Sequence, residues 1–413
     1  MPDMSRRELG AVLLAAPAVA SGQGVPTGQS KQSFVVIGAG VFGAWTAYHL
    51  RLGGHNVTLL DQYGPSNSRA SSGGETRIIR ASYGPDEIYT RMAKRSLALW
   101  SAFFARIGRS YLERAGVLWL AKQGNAYVEQ SRQTLKTVGV EFRDVSSADL
   151  ARDYPQIRLE PGTIAIFEPD SGALLARESV AAVVVEFTRI GGIYRHAGVR
   201  PPQGGGRLSE IQTTDGDSLR ADTFVFACGP WLGKVFPELL ATRIFVTRQD
   251  VLFFGIPAGD RRFEPPAMPV WIDFSDDRGM YGFPDIGRRG FKVAFDKHGP
   301  PMDPDTANRF VTAEQTAAAR DYVRDRFPVL ADAPVVDSRV CQYENTANGD
   351  FIIDRHPQMD NVWIAGGGSG HGFKHGPAVG EYLAARMEGR NDPPVETRFG
   401  LSTKGTEQKR AVY

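Results

Sequence analysis

Val362-Trp363-Ile364-Ala365-Gly366-Gly367-Gly368-Ser369-Gly370-His371-Gly372-Phe373-Lys374 decides the fold once it is set beside Phe34-Val35-Val36-Ile37-Gly38-Ala39-Gly40-Val41-Phe42-Gly43. The earlier stretch opens on a continuous apolar, partly β-branched run, which predicts a strand buried on both faces. Gly38 permits the tight turn, Gly40 lets the backbone approach a pyrophosphate, and Gly43 lets the next helix, residues 44–52, pack against the strand. The helix N-terminus turns N–H groups toward the phosphates. A second strand, Asn56-Val57-Thr58-Leu59-Leu60, ends at Asp61, about 20 residues past the glycines, where a ribose-binding acid belongs. This motif alone does not separate FAD from NAD. The later stretch repeats the pattern of apolar strand, glycines and helix roughly 300 residues on.

A chain that opens a dinucleotide site at one end and returns to it at the other is organised as flavoproteins are, not as simple nicotinamide enzymes are. The expected fold class is α/β: an FAD-binding Rossmann-like domain interleaved with a β-sheet-rich substrate domain. Nucleotide-binding segments are expected at 33–110, 178–240 and 335–390. The substrate domain takes 111–177 and 241–334, and 391–413 is expected to be a polar, poorly ordered tail. Helices are predicted over 88–107, 125–137, 179–190 and 312–327. Strands are predicted over 117–120, 163–167 and 223–227.

Bulk properties exclude several classes. The chain has 413 residues, 42% hydrophobic, with a net charge of +2. There is no basic stripe for nucleic acid, no apolar run long enough to span a bilayer and no solenoid repeat. Two cysteines are too few for a disulfide scaffold. No metal site is expected. Residues 1–32 read as a separate leader: Ser5-Arg6-Arg7 precedes a short alanine-rich apolar segment, Ala18-Val19-Ala20 fits a cleavage site, and a polar linker follows. This is similar to a twin-arginine export signal, so export to the periplasm or beyond is expected. The alternative is a leader on a cytoplasmic enzyme.

Residues 33–390 resemble the monomeric sarcosine oxidase and N-methyltryptophan oxidase family, within the D-amino-acid-oxidase-like flavoproteins. The resemblance is carried by Gly74-Glu75-Thr76-Arg77-Ile78-Ile79-Arg80, Ala165-Ile166-Phe167-Glu168-Pro169-Asp170-Ser171-Gly172, Tyr281-Gly282-Phe283-Pro284, Val340-Cys341-Gln342-Tyr343 and Ser369-Gly370-His371-Gly372-Phe373-Lys374. The last motif also resembles pipecolate and fructosyl-amino-acid oxidases. Arg suits bidentate carboxylate binding. The resemblance implies that Arg80 and Lys374 clamp an amino-acid carboxylate and that Arg77 lies beside the flavin. It also implies that Lys292 activates oxygen, that Tyr281 and Tyr343 wall the substrate, and that Cys341 bonds the flavin covalently. Read alone, an Arg is better explained by a surface ion pair and Cys341 by a small buried residue, and Lys374 and Lys292 can be read as solvated side chains. Cys228 reads as core. A Cys228–Cys341 disulfide is the alternative to flavinylation. His371 and His375 read as packing residues. The cofactor set is Gly38, Gly40, Val41, Phe42, Gly43, Asp61, Ser71, Thr76, Arg77, Cys341, Gly368, Gly370, Gly372 and Lys374.

The chain also departs from the family. Sarcosine oxidases carry two histidines where Ser72 and Gly73 stand, and a histidine where Asp296 stands. Residues 271–279, which should border the substrate, diverge as well. An acid in the pocket favours a cationic or hydroxylated substrate over sarcosine. The resemblance therefore implies an FAD-dependent oxidase of the C–N bond of an N-substituted amino acid, acting as a monomer on a small amino acid and O2 and releasing hydrogen peroxide. The rivals are a dehydrogenase with another electron acceptor, a fructosyl-amino-acid or pipecolate oxidase, and a flavin-binding protein without turnover.

Overall fold

In the computed structural model, which describes residues 30–409, the opening apolar run is the strand Ser33–Ile37. The helix after it spans Val41–Leu52, starting at Val41 rather than Ala44, with Gly40 at its N-cap. Six strands form one sheet in the order Ile352–Arg355, Val362–Gly366, Thr223–Phe226, Ser33–Ile37, Asn56–Asp61, Ile193–His196. All neighbours in it are parallel except the Ile352–Arg355 edge. The opening strand is buried on both faces, as its continuous hydrophobicity requires. Phe34 and Val36 enter one apolar cluster, and Val35 and Ile37 enter another.

A second sheet has eight strands in the order Val335–Asn345, Phe245–Phe254, Phe291–Phe295, Met280–Phe283, Val270–Phe274, Val117–Lys122, Thr163–Glu168, Arg143–Val145. Its pairs are antiparallel except Val270–Phe274 with Val117–Lys122. The strand Val335–Asn345, expected with the nucleotide-binding segments, lies in this sheet. It pairs with Phe245–Phe254 along nearly its whole length, which outweighs its closeness in sequence to the parallel strands. One face of the sheet is covered by the helix Ala313–Arg326, which packs Ala319, Tyr322 and Val323 against Trp271 and Phe254. A third, three-stranded sheet joins Thr76–Ile79, Gly172–Leu175 and Leu112–Glu113.

The predicted helices form as Glu87–Ile107, Ala126–Val138, Ala176–Arg189 and Ala313–Arg326. Asn125 and Thr312 cap the second and fourth by accepting from Val128 N and Gln315 N. Among the described residues no helix is long and apolar enough to cross a membrane.

The tail is a correction. Residues 391–409 are built onto the body and not left loose. Arg398 donates to Asp350 at 2.8 Å and to Asp86 at 2.9 Å. Phe399 is 1% exposed and packs against the rings of Tyr89, Phe351 and Tyr382. The segment's polar composition hid this, because one buried aromatic and one paired arginine anchor it. The leader expected to direct export, residues 1–29, lies outside the described residues, as do residues 410–413.

Candidate active site

The C-terminal ends of the parallel strands open into a cavity of about 380 Å³, within the size range of cofactor sites. Gly38, Gly40, Val41 and Phe42 line it from the first turn, and Gly368, Gly370 and Gly372 from the last. Gly43 does not line it. A Cβ there would meet the Gly38 carbonyl oxygen at 1.8 Å, so its glycine lets helix and turn close on each other. Ser72 Oγ accepts from Val41 N at 3.1 Å, so one of the helix's terminal N–H groups is already occupied. Asp61 lines the cavity at the end of its strand, with Ala39 N and Tyr63 N each donating to its carboxylate at 2.8 Å. Burial pushes that carboxyl above its ordinary range, against the pull of these N–H groups.

A smaller cavity, about 60 Å³, lies beside the first. Arg77, Tyr343, Ser369, Gly370 and Phe373 line both. Gly370 has φ +80, and a Cβ there would meet the Tyr343 ring at 2.8 Å, so this shared wall depends on a glycine. Arg80, Lys374, Tyr281, Asp296 and His298 complete the smaller cavity. Ile272 and Phe274 border it from the divergent stretch. Trp271 points the other way, stacked on Tyr322 and Phe291, as strand alternation demands.

The two cations of the expected clamp, far apart in sequence, both reach this small cavity. The Arg80 guanidinium lies between two rings, 4.4 Å from Tyr83 and 4.6 Å from Trp119, and donates to Ser82 O. The loop that carries it is tied down by Glu168, which accepts from Ala81 N at 2.7 Å and Ser82 N at 3.1 Å. Lys374 Nζ donates to Tyr83 OH at 2.8 Å and to His371 O at 3.0 Å. Burial, reinforced by Arg80, pushes Lys374 well below the usual lysine range. Tyr83 OH is also 2.7 Å from His375 Nε2 and 3.2 Å from His371 Nδ1. Both histidines thus support the lysine's partner. Sequence reading missed Tyr83 and the role of Glu168. Tyr83 lies only three positions beyond Arg80, but no spacing rule marks it.

Lys292 is 3% exposed and lines neither cavity. Its Nζ donates to Thr76 O and Thr76 Oγ1, each at 3.1 Å, and lies 4.3 Å from the Phe283 ring centre. Burial, then the Arg77 charge, pushes it well below the lysine range. Thr76 therefore borders the small cavity and holds Lys292, and does not line the large one. Arg77 Nη2 donates to Ser71 O at 2.5 Å and to Cys341 Sγ at 3.1 Å. Cys341 lies behind that guanidinium and not on the large cavity's wall. Cys228, expected in the core, is on that wall, and burial pushes its thiol up. Both cysteines are free, so the alternative disulfide does not form. Tyr281 and Tyr343 face each other with hydroxyls 3.4 Å apart.

Among the described residues, Ser71 Oγ and Glu344 Oε2 at the large cavity have no hydrogen-bond partner. Glycine turns at phosphate-binding positions, a carboxylate at the ribose position and these orphaned atoms fit a bound dinucleotide.

Residues 33–386 match the model of the "FAD dependent oxidoreductase" family. The chain is 31% identical to the peroxisomal sarcosine oxidase of Homo sapiens, over 84% of this chain and 90% of the relative. It is 26% identical to the N-methyl-L-tryptophan oxidase of Yersinia pestis, over 89% and 98%. In fold it is similar to the L-proline dehydrogenase of P. horikoshii, with a TM-score of 0.77, 21% identity and coverage of 90% and 97%.

Proposed function

The chain belongs to the FAD-dependent oxidoreductase family, and from that premise we propose that it oxidises the C–N bond of an N-substituted amino acid, passing the electrons to O2. The observation that carries this reading is the convergence of Arg80 and Lys374 on one small cavity whose wall is shared with the glycine-lined large one. A flavin-binding scaffold has no use for two buried cations aimed at a second cavity. The sarcosine and N-methyltryptophan oxidases among the relatives support a secondary amine as the reacting group.

When bound, FAD accepts the hydride lost from the amine and passes two electrons to O2, leaving hydrogen peroxide; the imine product hydrolyses to an amine and a carbonyl compound. The residues of the chain do the rest. Arg80, held between two rings, offers its guanidinium to the substrate carboxylate. Lys374, whose charged form burial disfavours, is favoured in that form by a carboxylate beside it. Tyr281, Tyr343 and Phe274 exclude water around the N-alkyl group. Asp296 and His298 face the rest of the substrate. Burial holds His298 neutral, with a pKa lowered to about 4. The small volume and the acid together favour a compact substrate with a hydroxylated or cationic group over a bulky sugar adduct.

Lys292 is assigned to oxygen. It is buried, hydrogen-bonded through Thr76 and next to Arg77, so a positive charge there would act through a low-dielectric medium. Cys341 is assigned to covalent attachment of the flavin. In support, its sulfur lies 3.1 Å from the Arg77 guanidinium, which donates to it beside the wall shared by the two cavities. The relatives named monomeric sarcosine oxidase support a monomer. The nucleotide-binding role is assigned to the parallel sheet and the substrate role to the antiparallel one. Export by the leader remains part of the proposal, and fractionation of cells expressing an Arg6→Lys/Arg7→Lys pair tests it.

A peroxide assay over N-methyl, N-fructosyl and cyclic amino acids tests the activity. Turnover that bleaches the flavin anaerobically but yields no peroxide in air would favour a dehydrogenase. Covalent attachment is read by acid precipitation: yellow colour should stay in the pellet, be lost from Cys341→Ser and be kept by Cys228→Ser.

A further inference from the structure

Glu344 is a carboxyl for which the scheme above has no use. It is 7% exposed, follows Tyr343 on the strand Val335–Asn345, and lines the large cavity. One oxygen accepts from Gly368 N at 3.2 Å, the Gly367 N–H also faces the carboxyl, and the other oxygen, Oε2, has no hydrogen-bond partner among the described residues. Among the described residues no cation pairs with it. A buried carboxyl with an idle oxygen costs free energy unless something absent from the bare chain meets it.

Its position says what that partner is. The neighbours of the carboxyl are Gly229, just past the strand Thr223–Phe226, and Gly366 and Gly368 at the end of Val362–Gly366. A Cβ at Gly229 would lie 3.3 Å from Oε2. Thr223–Phe226 is next in the sheet to Ser33–Ile37, which carries the phosphate turn. Tyr343, one residue away, belongs to the wall shared with the small cavity. Glu344 thus stands between the end that takes phosphates and the end that takes the ring. In FAD that intermediate stretch is the hydroxyl-bearing ribityl chain. No other acid with an idle oxygen lines this part of the described cavity.

We propose that Glu344 is a cofactor-binding residue whose idle carboxyl oxygen bonds a ribityl hydroxyl of FAD. This rests on the FAD reading given above. Burial pushes the carboxyl up to about 7, so near neutrality much of the population carries a proton and can donate as well as accept.

The test uses flavin-loaded protein in a Cys341→Ser background, so that any covalent bond does not mask release. Free flavin is followed by fluorescence after dilution. Glu344→Ala should release flavin about 10-fold or more faster. Glu344→Gln, which keeps a donor and an acceptor in the same place, should stay within about 3-fold of the parent. The melting midpoint of flavin-free Glu344→Ala should match that of the flavin-free parent. Unchanged release from Glu344→Ala overturns the proposal. So does a loss of flavin-free melting midpoint that accounts for faster release, since Glu344 would then only brace the Gly368 turn. If alanine does not fold, Glu344→Leu replaces it and is judged by the same two outcomes. Parent protein that purifies without flavin would instead sink the FAD reading itself.

Discussion

The two cavities are built by different means. The large one joins glycine turns at the ends of parallel strands to apolar and polar side chains from the loops around them. The small one is made of side chains drawn from the eight-stranded and three-stranded sheets and from residues 369–374, and its cations are positioned by aromatic rings and a buried tyrosine. A glycine turn tolerates no added side chain, so change there should abolish the site at once. A side-chain site should degrade in steps, one interaction at a time. The predictions below test that contrast.

Gly43→Ala should have the largest effect. The new methyl would have to displace the Gly38 carbonyl, which lies 1.8 Å from its ideal position. Purified variant should carry essentially no flavin, as read by the ratio of visible to ultraviolet absorbance. Full flavin occupancy would break the contrast at its strongest point.

Lys292→Met should slow reoxidation by O2 by roughly 100- to 1,000-fold, the usual consequence of removing one fixed charge from a developing one. Flavin reduction by substrate should change little, and stopped-flow mixing separates the two half-reactions. The reverse pattern would reassign Lys292 to the substrate.

Arg80→Met or Lys374→Met should weaken apparent substrate binding by about 10- to 150-fold, the worth of one charge-assisted hydrogen bond. An amine analogue lacking the carboxylate should bind parent and variants alike. Equal losses for acid and amine would mean that these residues support the flavin or the fold.

Tyr83→Phe should be milder, about 3- to 10-fold in KM with kcat little changed. Lys374 loses one of its two hydrogen-bond acceptors, so the pH at which substrate binding weakens should move. A fall in kcat alone would place Tyr83 in the chemistry.

The smallest effect returns to the large cavity. Glu344 has its carboxyl raised to about 7 by burial, so the folded chain holds a proton that the unfolded chain, at about 4.3, has released. Stability from this group is full below about pH 4 and is lost as pH rises toward 7. Glu344→Gln removes that dependence. Its flavin-free melting midpoint should fall less than the parent's between pH 5 and pH 8, by a few degrees. Parallel melting curves would show that the carboxyl ionises freely.

The same contrast explains what could be read from the sequence. Gly38, Gly40, Asp61 and Gly370 were legible because backbone geometry forces residue type at fixed offsets. Arg80 and Lys374 were legible only through a family resemblance, since no local rule brings a residue after Thr76–Ile79 to one after Val362–Gly366. Tyr83, Glu168 and Glu344 were not legible. Each acts through a partner distant in sequence, and a tyrosine or a glutamate in a strand or loop carries no periodic signal. That Val335–Asn345, within the segment 335–390 expected to bind nucleotide, pairs with Phe245–Phe254 was not legible, because that pairing is long-range. The tail was misread because its anchors are single residues in a polar run.

The mostly parallel sheet takes its first strand from the start of the described chain and another inner one, Val362–Gly366, from near its end. A ribosome that has made the first strand, the glycine turn and the ribose acid has therefore made half a socket. The other half emerges only after nearly all remaining codons are read. On the FAD reading, cofactor capture follows synthesis of Val362–Gly366 and the glycine turn after it, and until then the nascent chain must keep an apolar sheet edge from finding the wrong neighbour.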